Sequence, residues 1–156
     1  MVSDIKLLEA VKAFLDANMD TDKVASTTLY APQPSTKTPY CVLVATGSSA
    51  EILETDGGGD DTTEIDLIVV TEKYGFGTAE ERKSLVQLYQ AVDEIRRLVE
   101  SSDYLKAVKN AFDPTLSNTR LDSMSREYGI INTGEMELHT CTITTPFIIY
   151  RNRQAL

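Results

Sequence analysis

The spacing of hydrophobic positions changes several times along the chain, and each change marks an element. In the first segment Ile5, Leu8, Val11 and Leu15 recur every three or four residues, with Leu7 and Phe14 widening the stripe. That period places them on one face of an amphipathic helix over residues 4–17, with Ser3 or Asp4 as its N-cap. The polar stretch 18–22 ends it. Residues 24–30, rich in β-branched side chains and threonine, are a candidate strand. Pro32, Pro34 and Pro39 then mark a loop, since each fixes φ and removes a donor.

From Tyr40 the pattern becomes almost continuously apolar (Tyr-Cys-Val-Leu-Val-Ala-Thr), which predicts a strand over 40–46 covered on both faces. A short strand at 51–54, the acidic turn Asp56-Gly57-Gly58-Gly59-Asp60-Asp61 and a strand at 63–71 form a loose hairpin. In 63–71, Ile65, Leu67 and Val69 face one way, and Asp66, Ile68 and Val70 the other.

After the loop Tyr74-Gly75-Phe76-Gly77 the period returns to helical. Thr78 and Glu81 have the spacing of a capping box, and Leu85, Leu88, Val92, Ile95 and Val99 form a core-facing stripe flanked by Tyr89 and Leu98. Glu80 and Glu81 complement the positive end of the helix dipole, and Arg96 and Arg97 the negative end. Asp93 and Arg97, four apart, are spaced to pair on the exposed face. Tyr104, Leu105, Val108 and Phe112 predict a shorter helix that Asp113-Pro114 stops, with a polar loop over 115–120.

The tail reads as a hairpin. Leu121, Met124, Tyr128 and Ile130 precede the turn Asn132-Thr133-Gly134, and Met136, Leu138, Cys141 and Ile143 follow it. Pro146 predicts a bulge or a sheet edge in the last strand. The pattern as a whole predicts an α+β fold, with a mixed or antiparallel sheet of about four to five strands packed against two main helices, in one domain over residues 1–156.

Composition narrows the function classes. The formal net charge is −9, which argues against sequence-independent nucleic-acid binding and against docking on anionic lipid. No apolar run reaches the length of a membrane-spanning helix, and the N-terminus lacks the pattern of a signal peptide. Two cysteines, Cys41 and Cys141, make no disulfide framework; buried, reduced thiols in an intracellular protein are the expectation.

The candidate chemistries are thin. Gly75-x-Gly77 sits between a strand and a helix, as a dinucleotide fingerprint does, but Glu80 occupies the third glycine position, and two carboxylates in the first turn repel a pyrophosphate. His139 and Cys141 share a strand face and, with Cys41, supply three zinc-type ligands, but no fourth Cys or His exists. The expectation is a satisfied or partly exposed strand histidine. The single histidine also makes a Ser-His-Asp or Cys-His enzyme improbable. Asp56, Asp60, Asp61 and Glu64 lack the spacing of a calcium loop. The sequence therefore predicts no catalytic residues, cofactor or metal. Tyr30, Tyr40, Tyr74 and Phe76, in or beside loops, suit either packing or an interface.

The order of elements resembles the tail-terminator (tail-completion) proteins of long-tailed bacteriophages. The features that carry the resemblance are the helix around Ile5 to Leu15, Pro39-Tyr40 leading into an apolar strand, the strand ending Val69-Val70-Thr71, the helix from Ala79 to Val99 and the β-rich C-terminus. The extra short helix before Pro114 and the length of the last strand region depart from it. The resemblance implies a non-catalytic subunit of a homo-oligomeric, commonly hexameric, ring in the virion tail, assembled in the host cytoplasm. Such a ring ends the tail tube, with the tail tube protein and the head–tail connector protein as partners and no cofactor. The alternatives are a neck or head–tail connector protein, a small host binding module, and an enzyme with a metal the sequence does not reveal. Exposed loop positions Asp56, Asp60, Asp61, Tyr74, Phe76, Asn118 and Arg120 are the candidate partner contacts.

Overall fold

The computed structural model describes residues 4–29, 37–52, 59–112, 119–121 and 124–151. The elements run α1 (Asp4–Asn18), β1 (Ser26–Thr28), β2 (Tyr40–Ile52), β3 (Gly59–Glu72), α2 (Ala79–Val99), α3 (Ser102–Phe112), β4 (Thr119–Leu121), β5 (Ser125–Asn132) and β6 (Glu137–Arg151). The fold is α+β. Its sheet is mixed: β1 runs parallel to β2, and every other described pair is antiparallel.

Across the sheet the order is β1-β2-β3-β6-β4, with β5 also on β6. Because β3 occupies one edge of β6, β4 and β5 share the other in succession. Among the described residues six strands thus fill five positions across the sheet, which matches the expected width while exceeding the expected strand number.

The three helices cover one face. Cys41 and Leu43 of β2, Ile65, Leu67 and Val69 of β3, and Cys141, Ile143 and Phe147 of β6 pack against Leu7, Val11 and Leu15 of α1, the α2 stripe, and Tyr104 and Val108 of α3. Alternation along a strand explains the choice, since residues two apart share a face. Within the α2 stripe Leu88, Ala91, Val92, Ile95, Leu98 and Val99 are buried, while Leu85 is half-buried at its margin. In α1 the buried line runs through Leu7, so Leu8 is half-buried and Ile5 is exposed. The centre of the expected stripe is rotated because α3 as well as the sheet lies against α1.

Several expectations are corrected. β2 is not covered on both faces: Tyr40 is buried and Val42 half-buried on the helix-free side, and Val44 is exposed there. The separate strand at 51–54 is the far part of β2, which pairs with β3 from Tyr40↔Val70 to Ile52↔Gly59 with a register shift between Ala45 and Gly47. Asp60 and Asp61 therefore belong to the β3 ladder, opposite Glu51 and Ala50, rather than to a turn. Arg120 likewise lies in β4, paired with Ile148, rather than in a loop. The chain enters β2 through a cis peptide, Thr38–Pro39.

Pro146 makes neither a bulge nor an edge strand. It continues the β3 ladder opposite Glu64. On its other side β4 ends at Leu121↔Phe147 and β5 begins at Ser125↔Thr144, so Pro146 lies between the two short partners. A residue without an N–H fits where no described strand asks for one.

At the start of α2, Thr78 is the N-cap and its Oγ1 accepts from Glu81 N–H at 3.2 Å. The reciprocal half of the capping box is absent, because the Glu81 side chain turns inward. Arg97 does not take up Asp93; its Nε donates to Glu94 Oε1 at 2.6 Å. Glu94 also accepts from the backbone N–H of Asp20 at 2.7 Å, which fixes the turn after α1 against α2.

Candidate functional site

The candidate contact positions do not form one loop cluster. Asp56 and Asn118 lie outside the described residues, as does Tyr30. Asp60 and Asp61 are on the far part of β3, and Arg120 is on β4 at the opposite edge of β6. Tyr74 and Phe76 are in the β3–α2 loop as expected, with Tyr74 part-exposed and Phe76 fully so. Gly77, at φ +80°, supplies the left-handed residue that brings the loop into α2. The Tyr74 hydroxyl donates to Glu72, and Thr78 Oγ1 donates to Gly75 O at 2.7 Å, so side-chain bonds brace the loop. Tyr40, the other candidate aromatic, is buried on the helix-free face beside Val70 and Leu138.

His139 is a satisfied, buried strand histidine. Its Nε2 lies 2.5 Å from Glu81 Oε1, and both side chains are largely withdrawn from solvent. Burial pushes the Glu81 carboxyl up. The hydrogen bond and charge of His139, the Tyr74 backbone and Lys73 outweigh it and hold the carboxyl below the usual range. Such a pair ties the first turn of α2 to β6.

The cysteines are chemically quiet. Cys41 and Cys141 are both free and buried, and both pair with Val69, so β3 runs between them. Burial pushes the Cys41 thiol up to about 12 and raises that of Cys141. A thiol with a raised pKa is a poor nucleophile and a poor metal ligand. Among the described residues, no three His, Cys, Asp or Glu side chains come close enough to hold a metal ion.

The unusual surface is the edge of the sheet beside α2. All eight residues of β5 are exposed. Tyr128 is 47% exposed, Ile130 57% and Ile131 47%, although all three sit in a paired strand. On the helix side Tyr128 meets Tyr89 of α2 edge-to-face, with ring centroids 5.7 Å apart. A groove of about 280 Å³ runs between α2 and β5, lined by Leu85, Leu88, Tyr89, Tyr128, Ile130 and His139, with Gly129 and Thr140 on its strand side. Val86, one residue along α2, is also exposed. Apolar and aromatic surface grouped in this way, beside an unpaired strand edge, is the physical signature of an interaction surface.

The sequence places Tyr128 and Ile130 on the first strand of the C-terminal hairpin and does not say whether they are buried. The discriminating feature is the short reach of α2, whose buried stripe is spent on β3 and β6. No local pattern in β5 reports that.

No protein-family model matches the chain, and no curated protein matches it. Among solved structures, a chain in the virion of a native gene transfer agent (GTA) particle superposes with a TM-score of 0.58 at 15% sequence identity, over 93% of this chain and 95% of that one. The two chains share their fold nearly end to end.

Proposed function

We propose that this chain is a structural subunit of a phage-like virion. Within that class we read it as a tail terminator, a subunit of a hexameric ring that ends the tail tube and meets the head-side connector. The observation that carries the reading is the near end-to-end match in fold with a chain of a virion particle. The element order and the exposed apolar edge support it further, since a ring subunit needs contact surfaces on more than one flank. In this reading the subunit acts by contact alone, without a catalytic residue or a cofactor. Its buried ionisable groups support that, because Glu81 and Glu94 are each engaged in a fixed internal pair.

Light scattering coupled to size exclusion over a range of concentrations, with electron micrographs of the same fractions, tests the ring. A hexamer's mass with closed annular particles is the expected result. Absence of annuli at every concentration, together with no binding to purified phage tail tubes, overturns the reading.

A further inference from the structure

Strand β5 leaves a specific set of backbone groups unpaired. Thr133 N–H donates to Met136 O at 3.0 Å across the turn, so that pair is hydrogen-bonded. Pairing then alternates along the hairpin from Asn132↔Glu137, and the residues whose own N–H and C=O point away from β6 are Arg126, Tyr128, Ile130 and Asn132. No described strand lies on that side. The stretch from Tyr128 to Ile131 carries no charge, bulge or proline to blunt it.

We propose that β5 is a homodimerisation edge: two copies of this chain pair antiparallel through it, centred on Gly129, so that the sheet continues from one subunit into the other. Charge selects a second copy over a foreign strand. The start of β5 carries Arg126 beside Arg96, the latter bonded to Glu100 at 3.2 Å. The other end carries Glu135 in the turn and Glu137 at the start of β6, the latter bonded to Lys73 at 3.1 Å. On the α2 side the edge is thus more positive at one end and more negative at the other. An antiparallel copy sets each end beside its opposite, twice.

The centred register is also favourable residue by residue. It places Tyr128 against Ile130 of the second copy, Arg126 against Asn132 and Glu127 against Ile131, so no like charges face one another. Aromatic and β-branched residues then meet across the strands twice. Gly129 at the centre offers no side chain to obstruct the approach. The contact is isologous, unlike the head-to-tail contact that closes a ring, and so goes beyond the ring reading.

A cysteine at the centre tests the register. The two 129 positions would form a non-hydrogen-bonded pair with Cα atoms ~4.5 Å apart, inside the span a disulfide tolerates. A Cβ added at Gly129 meets Thr140 Oγ1 at 3.5 Å, an ordinary contact, so Gly129→Cys fits the fold. Native Cys41 and Cys141 are buried and do not compete. With oxidised glutathione, Gly129→Cys should form a disulfide-linked dimer on a non-reducing gel. Glu127→Cys should not, because the two 127 positions stand ~13 Å apart along the strands in this register. Ile130→Lys should weaken the dimer of the wild-type chain at least about tenfold, measured by sedimentation equilibrium. The proposal fails if Gly129→Cys stays uncrosslinked, or if Glu127→Cys crosslinks as fast. It fails equally if a folded Ile130→Lys dimerises like wild type. None of these readouts depends on whether annuli form.

Discussion

Strand β6 is paired along both edges, and two of its neighbours, β3 and β5, have opposite fates. On one side β3 runs beside it from Glu72↔Leu138 to Gly59↔Arg151. There Ile65, Leu67 and Val69 are fully buried, because α1, α2 and α3 lie over β2, β3 and β6. On the other side β5 runs beside the same strand over eight residues and buries none of its own. Both neighbours alternate apolar residues, and both satisfy half of their peptide groups on β6. What differs is the layer above. The helices are wide enough for the middle of the sheet and stop at β5, where Tyr89 leans across to Tyr128. A ladder of hydrogen bonds fixes where a strand lies; on the helix side of the sheet, the layer above decides whether its side chains leave water.

Substitutions on the two sides of β6 should separate these roles. The largest effect is expected at Phe147, fully buried on the helix face with its ring centroid 5.7 Å from that of Tyr104. Phe147→Ala should lower stability by about 3–5 kcal/mol, read from urea unfolding. A loss below about 1 kcal/mol would mean that this end of the core is loosely packed.

A middle effect is expected at Glu94. Arg97 holds its carboxyl below the usual range; burial opposes this, and the Asp20 backbone, the Arg97 charge and Lys23 add to it. A carboxyl whose folded pKa lies below its unfolded value, near about 4.3, stabilises the fold fully above that value. The contribution is lost as pH falls toward the depressed folded value. Glu81 is lowered likewise and adds in the same direction. Glu94→Gln should cost about 1–3 kcal/mol near neutral pH. Thermal melts between pH 7 and pH 3 should show the gap between wild type and variant narrowing on acidification. A constant gap would sink the assignment.

The smallest effect is expected at the exposed loop. Phe76→Ser should change stability by no more than about 0.5 kcal/mol, because the ring packs on nothing. A larger change in the isolated subunit would show that the loop contributes to the core. If the change appears only in an assembled particle, Phe76 is a contact residue.

Much of this architecture is legible in the sequence. The helical period from Leu88 to Val99 and the Thr78 cap locate α2, and the alternation of Ile65, Leu67 and Val69 locates β3 and its buried face. Asn132-Thr133-Gly134 locates the final turn, where Gly134 takes φ +88°. The misreadings share a cause. Asp60, Asp61 and Arg120 read as loop residues because polar side chains near glycine or proline favour turns, yet long neighbours recruit them into ladders. Glu81 reads as a capping carboxylate until the fold brings His139, 58 positions away, within reach. Its burial follows from that partner and not from any neighbour in the chain.

The sequence by itself determined the three helices, the strand β3 with its inward face, and the final chain reversal, because these follow from periods of two and of 3.6 and from turn residues acting locally. The tertiary structure alone decided that β4 and β5 share one edge of β6, that Pro146 falls between them, and that the Tyr128 and Ile130 side chains remain in solvent. These depend on how far the helical layer extends over the sheet, a property of the assembled layers that no window of residues encodes.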